Sequence, residues 1–173
     1  YDGQLFKPNF NDPNVIQMTE QSDPDKINIF FVDMPTSGIL GKSPNIPGSV
    51  HIQHKYSSVL VNLPMHVSWE GDLDQTELGE TVLHEIGHLL GLYHTTETNG
   101  LIHDPILDTP ECLRNLHDTD ENLIVDISEC SDHGANNMMF WQGSFFHLND
   151  QLSQGQLDVL NRSPFIKRKY GGL

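Results

Sequence analysis

The stretch His84-Glu85-Ile86-Gly87-His88-Leu89-Leu90-Gly91-Leu92-Tyr93-His94 restricts this chain more than any other part of it. Leu83 to Leu92 is apolar enough to form one helix. Two histidines four apart on a helix share a face, about one turn and ~6 Å apart along the axis. That spacing suits two imidazole nitrogens on one tetrahedral zinc ion, each at ~2.0–2.1 Å. Glu85 points in a different direction from His84, so it can reach past a metal toward a water and act as general base rather than ligand. On an unbroken helix His94 would lie on another face. Gly91 can take a positive φ, end the helix and turn the chain, which brings His94 back as third ligand. Three protein ligands leave a fourth position open, the pattern of a catalytic zinc rather than a structural one. An HExxH pair alone also occurs on ordinary amphipathic helices. The turn residue and third histidine at defined spacing separate this stretch from those.

The length of 173 residues predicts one domain with a sizeable core. No apolar run is long enough to cross a membrane, and no signal peptide starts at Tyr1, so an exported protein would be represented here in a mature or trimmed form. With 24 acidic against 9 basic residues and a net charge of −15, the chain is poorly suited to bind nucleic acid through phosphates. Its two cysteines, Cys112 and Cys130, fall in one irregular region. An even count there suggests a disulfide closing a loop, and with it an oxidising compartment; two free thiols is the alternative.

Along the chain, a short helix is expected around Asn14–Glu20. Ile27–Val32 is a β-prone run that reads as a central strand. The glycines and prolines from Ser37 to Gly48 predict a loop or irregular edge. Ser49–His54 alternates like a half-buried strand, and Val59–Leu63 reads as another. His51, His54 and His66 read as ordinary strand histidines. Asp74 or Thr76 can cap a helix running into the histidine motif. Strands followed by one long helix predict an α+β first half. Residues 95–135 are loop-rich and acidic, with Asp104, Asp108, Asp118, Asp120, Glu121 and Asp126. Long irregular segments need cross-links or function, and oxygen-rich loops suit Ca²⁺, although no EF-hand pattern is present. Ser153 is placed to cap a last helix from Gln154 to Leu160, and Lys167-Arg168-Lys169 looks solvated.

HExxHxxGxxH resembles the signature of the metzincin metallopeptidases. Asn136-Asn137-Met138-Met139-Phe140 is similar to the N-x-M-x-Y form of the turn those enzymes carry beneath the zinc, with Met138 as the turn methionine. Within metzincins the chain looks most like the pappalysin branch, including its small prokaryotic members. The likeness rests on Leu78-Gly79-x-Thr81, Gly91-Leu92-Tyr93-His94-Thr95, Asp108-Thr109-Pro110 and Leu152-Ser153-x-Gly155-Gln156, over about residues 27–162. It implies an upper subdomain of about residues 1–91, with a mixed twisted sheet and the active-site helix. A lower, irregular subdomain of about residues 92–173 would carry His94, the Met-turn and a C-terminal helix. An extended substrate would add a strand to an exposed sheet edge, expected within Leu40–Gln53.

The expectation is a secreted zinc-dependent endopeptidase acting on protein or peptide substrates. His84, His88 and His94 would hold Zn²⁺ and Glu85 would be the catalytic base. Two departures bear on it. The family tyrosine two positions after the turn methionine is Phe140 here, without a hydroxyl. The acid that pappalysins place just beyond the turn, for a basic residue after the cleaved bond, is replaced by Trp141-Gln142-Gly143-Ser144-Phe145-Phe146. That composition favours an apolar or mixed preference, unless an acid reaches in from the 104–126 loop. The other reading is a catalytically impaired or latent zinc-binding module, closed by a further ligand among His103, His117, His133 and His147. The oligomeric state is not legible in the sequence.

Overall fold

The computed structural model describes residues 13–34, 38–49, 56–143 and 149–166. Val59-Leu60-Val61 offers no polar side to face solvent, and it becomes the centre of the sheet. Strand β3 (Ser58–Asn62) is buried at every position. Strand β1 (Asn28–Val32) pairs with it in parallel, Phe30 opposite Leu60. Strand β2 (Gly41–Lys42) pairs antiparallel on the other side, Gly41 opposite Val61. The order is β1-β3-β2, a mixed sheet.

The run expected to be a central strand is therefore an edge among the described residues. A continuous apolar run reads as buried on both faces, but Ile29 and Phe31 are 36% and 49% exposed while Val32 is buried. Most of the strand expected over Ser49–His54, with His51 and His54, lies outside the described residues.

Helix α1 (Pro13–Thr19) covers the sheet through Val15, which packs with Val32, Met34 and Leu60. The Asn62 amide ties down the chain between β1 and β2. Its Oδ1 accepts from the Met34 N–H at 2.9 Å, and its Nδ2 donates to the Ile39 carbonyl at 2.9 Å. Helix α2 (Gln75–Leu90) packs on β3 and β2. It starts where Asp74 Oδ1 accepts from the Thr76 and Glu77 amides at 3.0 and 2.9 Å. It ends where Gly91, at φ 115°, reverses the chain. There the Leu92 N–H donates to the Gly87 carbonyl and the Gly91 N–H to that of His88, a Schellman turn.

After Gly91 regular structure among the described residues is confined to α3 (Arg114–His117) and α4 (Gln154–Arg162). Cys112 and Cys130 are joined by a disulfide with Cα atoms 5.7 Å apart. They sit in a core with Val125, Ala135 and Phe140. Side chains replace the missing ladders. Asp108 accepts from the Ser153 hydroxyl and the Gly155 amide at the start of α4. Thr96 Oγ1 accepts from the Cys112 amide, and Trp141 Nε1 donates to the Val125 carbonyl. The acidic residues are spent the same way. Asp104 takes the Thr109 hydroxyl and Asp126 caps Ser128 and Glu129. Asp118, Asp120 and Glu129 lie close together, each accepting from nearby backbone amides. The chain is α+β, and among the described residues no helix is long and apolar enough to cross a membrane.

Candidate active site

α2 presents His84 and His88 on one face, and the Schellman turn returns the chain so that His94 meets them. The Nε2 atoms of His84 and His88 each lie 3.1 Å from His94 Nε2. The opposite nitrogen of every ring is already engaged. His84 Nδ1 donates to the Met138 carbonyl at 2.7 Å and His88 Nδ1 to the Leu92 carbonyl at 2.8 Å. His94 Nδ1 donates to Glu97 Oε1 at 3.1 Å. With those protons committed, three Nε2 lone pairs face one point, an arrangement that repels itself unless a cation sits between them. Two ligands at ~2.0–2.1 Å from a tetrahedral centre lie ~3.3 Å from each other. The residues fit zinc.

Electrostatics agree with that reading. Burial, followed by the neighbouring imidazoles, pushes His84 down to about 3. Burial and His88 push His94 down to about 4, and burial also lowers His88. All three rings are therefore neutral, the form that binds metal. Desolvation pushes the Glu85 carboxyl up to about 8, opposed by the Ser43 amide and the Lys42 charge. Glu85 is buried, and its Oε2 has no hydrogen-bond partner among the described residues.

The four groups open into a cavity of about 1010 Å³. One wall is β2 with its flanks, Ile39 to Ser43. The other is formed by Asp126–Ser128 and by Met138 with Phe140–Gly143.

Among the described residues no spare histidine completes a fourth position. His117 and His133 stack on each other, ring centroids 3.9 Å apart, and neither they nor His103 line the cavity; His147 lies outside the described residues. Met138 and Met139 divide the turn between them. Met138 lines the cavity and lends its carbonyl to His84, while Met139 is fully buried with its sulfur against Gly87. Phe140 is 1% exposed, a member of the disulfide core. Asp126 is the carboxylate that the 104–126 loop brings to the cavity wall.

Three contributors were missed in the sequence: Glu97, the Leu92 carbonyl and the packing of Gly41 on Glu85. Glu97, three residues from His94, had a readable spacing. The other two are backbone features with no side-chain signal.

The matrixin family model matches residues 18–127, from the end of α1 through the histidine motif to the disulfide-bridged loop. The chain belongs to the matrixin peptidases. That places it among metzincin-type zinc peptidases and does not reach the pappalysin branch. No curated protein and no solved structure matches the chain.

Proposed function

We propose that this matrixin is a zinc-dependent endopeptidase that cleaves extended peptides laid along β2. The observation that carries the reading is the convergence of three neutral Nε2 atoms beside a buried carboxylate with an oxygen to spare. A zinc ion held by His84, His88 and His94 supplies a Lewis acid, which polarises a carbonyl and acidifies a water. The charge of a dication beside it would favour the ionised form of Glu85 against desolvation, and its Oε2 would then take the proton of the attacking water and hand it to the departing amine. The Met138 and Leu92 carbonyls and Glu97 keep the three imidazoles in the tautomer that leaves Nε2 free. Among the described residues β2 is an edge strand along the cavity, the place where a substrate strand would add. Past Met138 the wall is Trp141, Gln142 and Gly143, which suit apolar side chains, while Asp126 is the acid that the 104–126 loop brings in, so the wall suits a mixed preference that admits Arg or Lys. The disulfide supports a secreted protein. The pappalysin branch rests on short motifs alone: Leu78-Gly79-x-Thr81, Gly91-Leu92-Tyr93-His94-Thr95, Asp108-Thr109-Pro110 and Leu152-Ser153-x-Gly155-Gln156.

Cleavage of a random peptide library, followed by mass spectrometry and paired with zinc analysis, tests this. Glu85→Gln is expected to keep zinc and lose cleavage by ~10²–10⁴-fold, the usual contribution of a general base. His94→Ala is expected to lose both. A Glu85→Gln protein cleaving at the wild-type rate sinks the assignment. Full zinc without cleavage in the wild type supports the latent module instead.

A further inference from the structure

Strand β2 passes directly over the turn of α2 that carries Glu85. A Cβ built on Gly41 would lie 2.6 Å from Glu85 Cγ, 2.9 Å from Glu85 Oε1 and 2.9 Å from Thr81 Cγ2. Carbon atoms do not pack that closely, so a side chain at position 41 and the present rotamer of Glu85 exclude each other. Glycine is also a poor strand residue, so sheet propensity does not explain its place opposite Val61. Two residues further on, the Ser43 backbone N–H acts on the same carboxylate and favours its ionised form. The Oε2 atom remains buried and without a partner among the described residues, in a side chain that lines the cavity.

Resting on the zinc-peptidase reading, we propose that Gly41 and the Ser43 amide form a clamp that positions the general base. The missing side chain lets the strand close onto α2. The amide holds the carboxylate from one side and leaves Oε2 for the water. Gly41 and Ser43 are thus positioning residues and Glu85 the catalytic one. All three atoms that an added methyl would strike belong to side chains that can rotate. Gly41→Ala is therefore relieved by swinging Glu85 aside rather than by unfolding.

The test is a double-mutant cycle on the zinc-loaded protein. Gly41→Ala is expected to keep zinc content and KM and to lower kcat by ~10–100-fold, the usual result of displacing a reacting group by about 1 Å. Introduced into Glu85→Gln, the same substitution is expected to cost nothing further, because the group it displaces is gone. A kcat within twofold of wild type overturns the clamp. So does a raised KM with kcat unchanged, which would make Gly41 a substrate-binding position only. If Gly41→Ala does not fold, Ser43→Pro deletes the amide on an edge strand and is read by the same split between kcat and KM. A readout independent of turnover is the ¹³C resonance of the Glu85 carboxyl in metal-free protein, assigned by its loss in Glu85→Gln. It is expected to shift in either variant, and an unchanged resonance overturns the proposal. A wild type that cleaves nothing sinks the peptidase reading and still leaves this resonance to decide on the clamp.

Discussion

Residues before Gly91 deliver His84, Glu85 and His88, and residues after it deliver His94, its partner Glu97 and the Met138 carbonyl, yet the two stretches are held in opposite ways. The first is ordered by apolar periodicity: β3 is buried throughout and α2 lies across it. The second has, among the described residues, one nine-residue helix, one single-turn helix and a disulfide, and its polar side chains bond backbone groups directly. Hydrophobic packing tolerates small shifts because it is non-directional. A hydrogen-bonded loop does not, since each bond fixes both distance and angle. The difference suggests that damage before Gly91 lowers stability first, whereas damage after it reaches the metal site directly.

Leu60→Ala should give the largest loss of stability, since Leu60 is fully buried at the centre of the sheet. Large-to-small changes of this kind cost about 2–5 kcal/mol. Zinc affinity of the remaining folded protein should be unchanged, which equilibrium urea unfolding and a competition titration can separate. Replacing both cysteines by serine should cost about 2–4 kcal/mol, as loops of this size usually do. It should also weaken zinc by roughly tenfold, the scale expected when support behind a ligand is lost. The route is short: the Cys112 amide donates to Thr96 Oγ1, two residues from His94. Equal zinc affinity in both variants would break the comparison.

Gln156→Leu sharpens it at smaller cost. The Gln156 and Asn137 amides are reciprocal partners in a buried site, at 2.9 and 3.0 Å, and Asn137 Oδ1 also accepts from the Met139 amide. Leucine would strand the Asn137 amide at about 1–3 kcal/mol. The Met138 carbonyl, which orients His84, lies inside that turn. Zinc release in a chelator time course should therefore accelerate more than the stability loss accounts for. Matching changes in the two would mean that the amide pair serves packing alone.

The first stretch was the more legible. The 3.6-residue period, the Asp74 cap and Gly91 specify a helix and its end without reference to anything distant. Which strand is central among the described residues was not legible, because an apolar run carries the same signal whether one face or both are covered; pairing partners decide that, and they lie about 30 residues away. In the second stretch the pairing of Cys112 with Cys130 was readable from count and placement. The use of Asp108 as a cap for α4 depends on residues 45 positions apart. Nothing local marks such a bond. The acids expected to suit Ca²⁺ were visible as composition, but composition does not show which of their oxygens accept from nearby hydroxyls and amides, nor that Asp118, Asp120 and Glu129 come together. Phe140 lines the cavity and is also packed into the disulfide core, and no local pattern marks the second role because burial is a property of the surroundings.

The smallest expected effect lies in the better-packed stretch and concerns the buried pair beneath α2. His66 Nδ1 and Glu77 Oε2 are 3.2 Å apart, both residues fully or nearly buried. Burial, with the charges of Asp74 and Glu80 behind it, raises the Glu77 carboxyl from 4.5 to about 7. Burial lowers His66. Desolvation thus outweighs ion pairing here, and the two residues meet as a neutral pair. The sign of the linkage follows. Between pH 4.5 and about 7 the folded state keeps a proton on Glu77 that the unfolded chain has released. Stability from this group is full below pH 4.5, declines as the pH rises toward 7 and is level above that. Glu77→Gln cannot titrate, so its stability relative to wild type should rise across that window, while the opposite slope from His66 remains in both proteins. Urea unfolding of the metal-free proteins at a series of pH values isolates the difference. A relative stability that falls with rising pH would mean a charged His66–Glu77 bridge, with Glu77 held below its usual value, and would overturn the neutral pair.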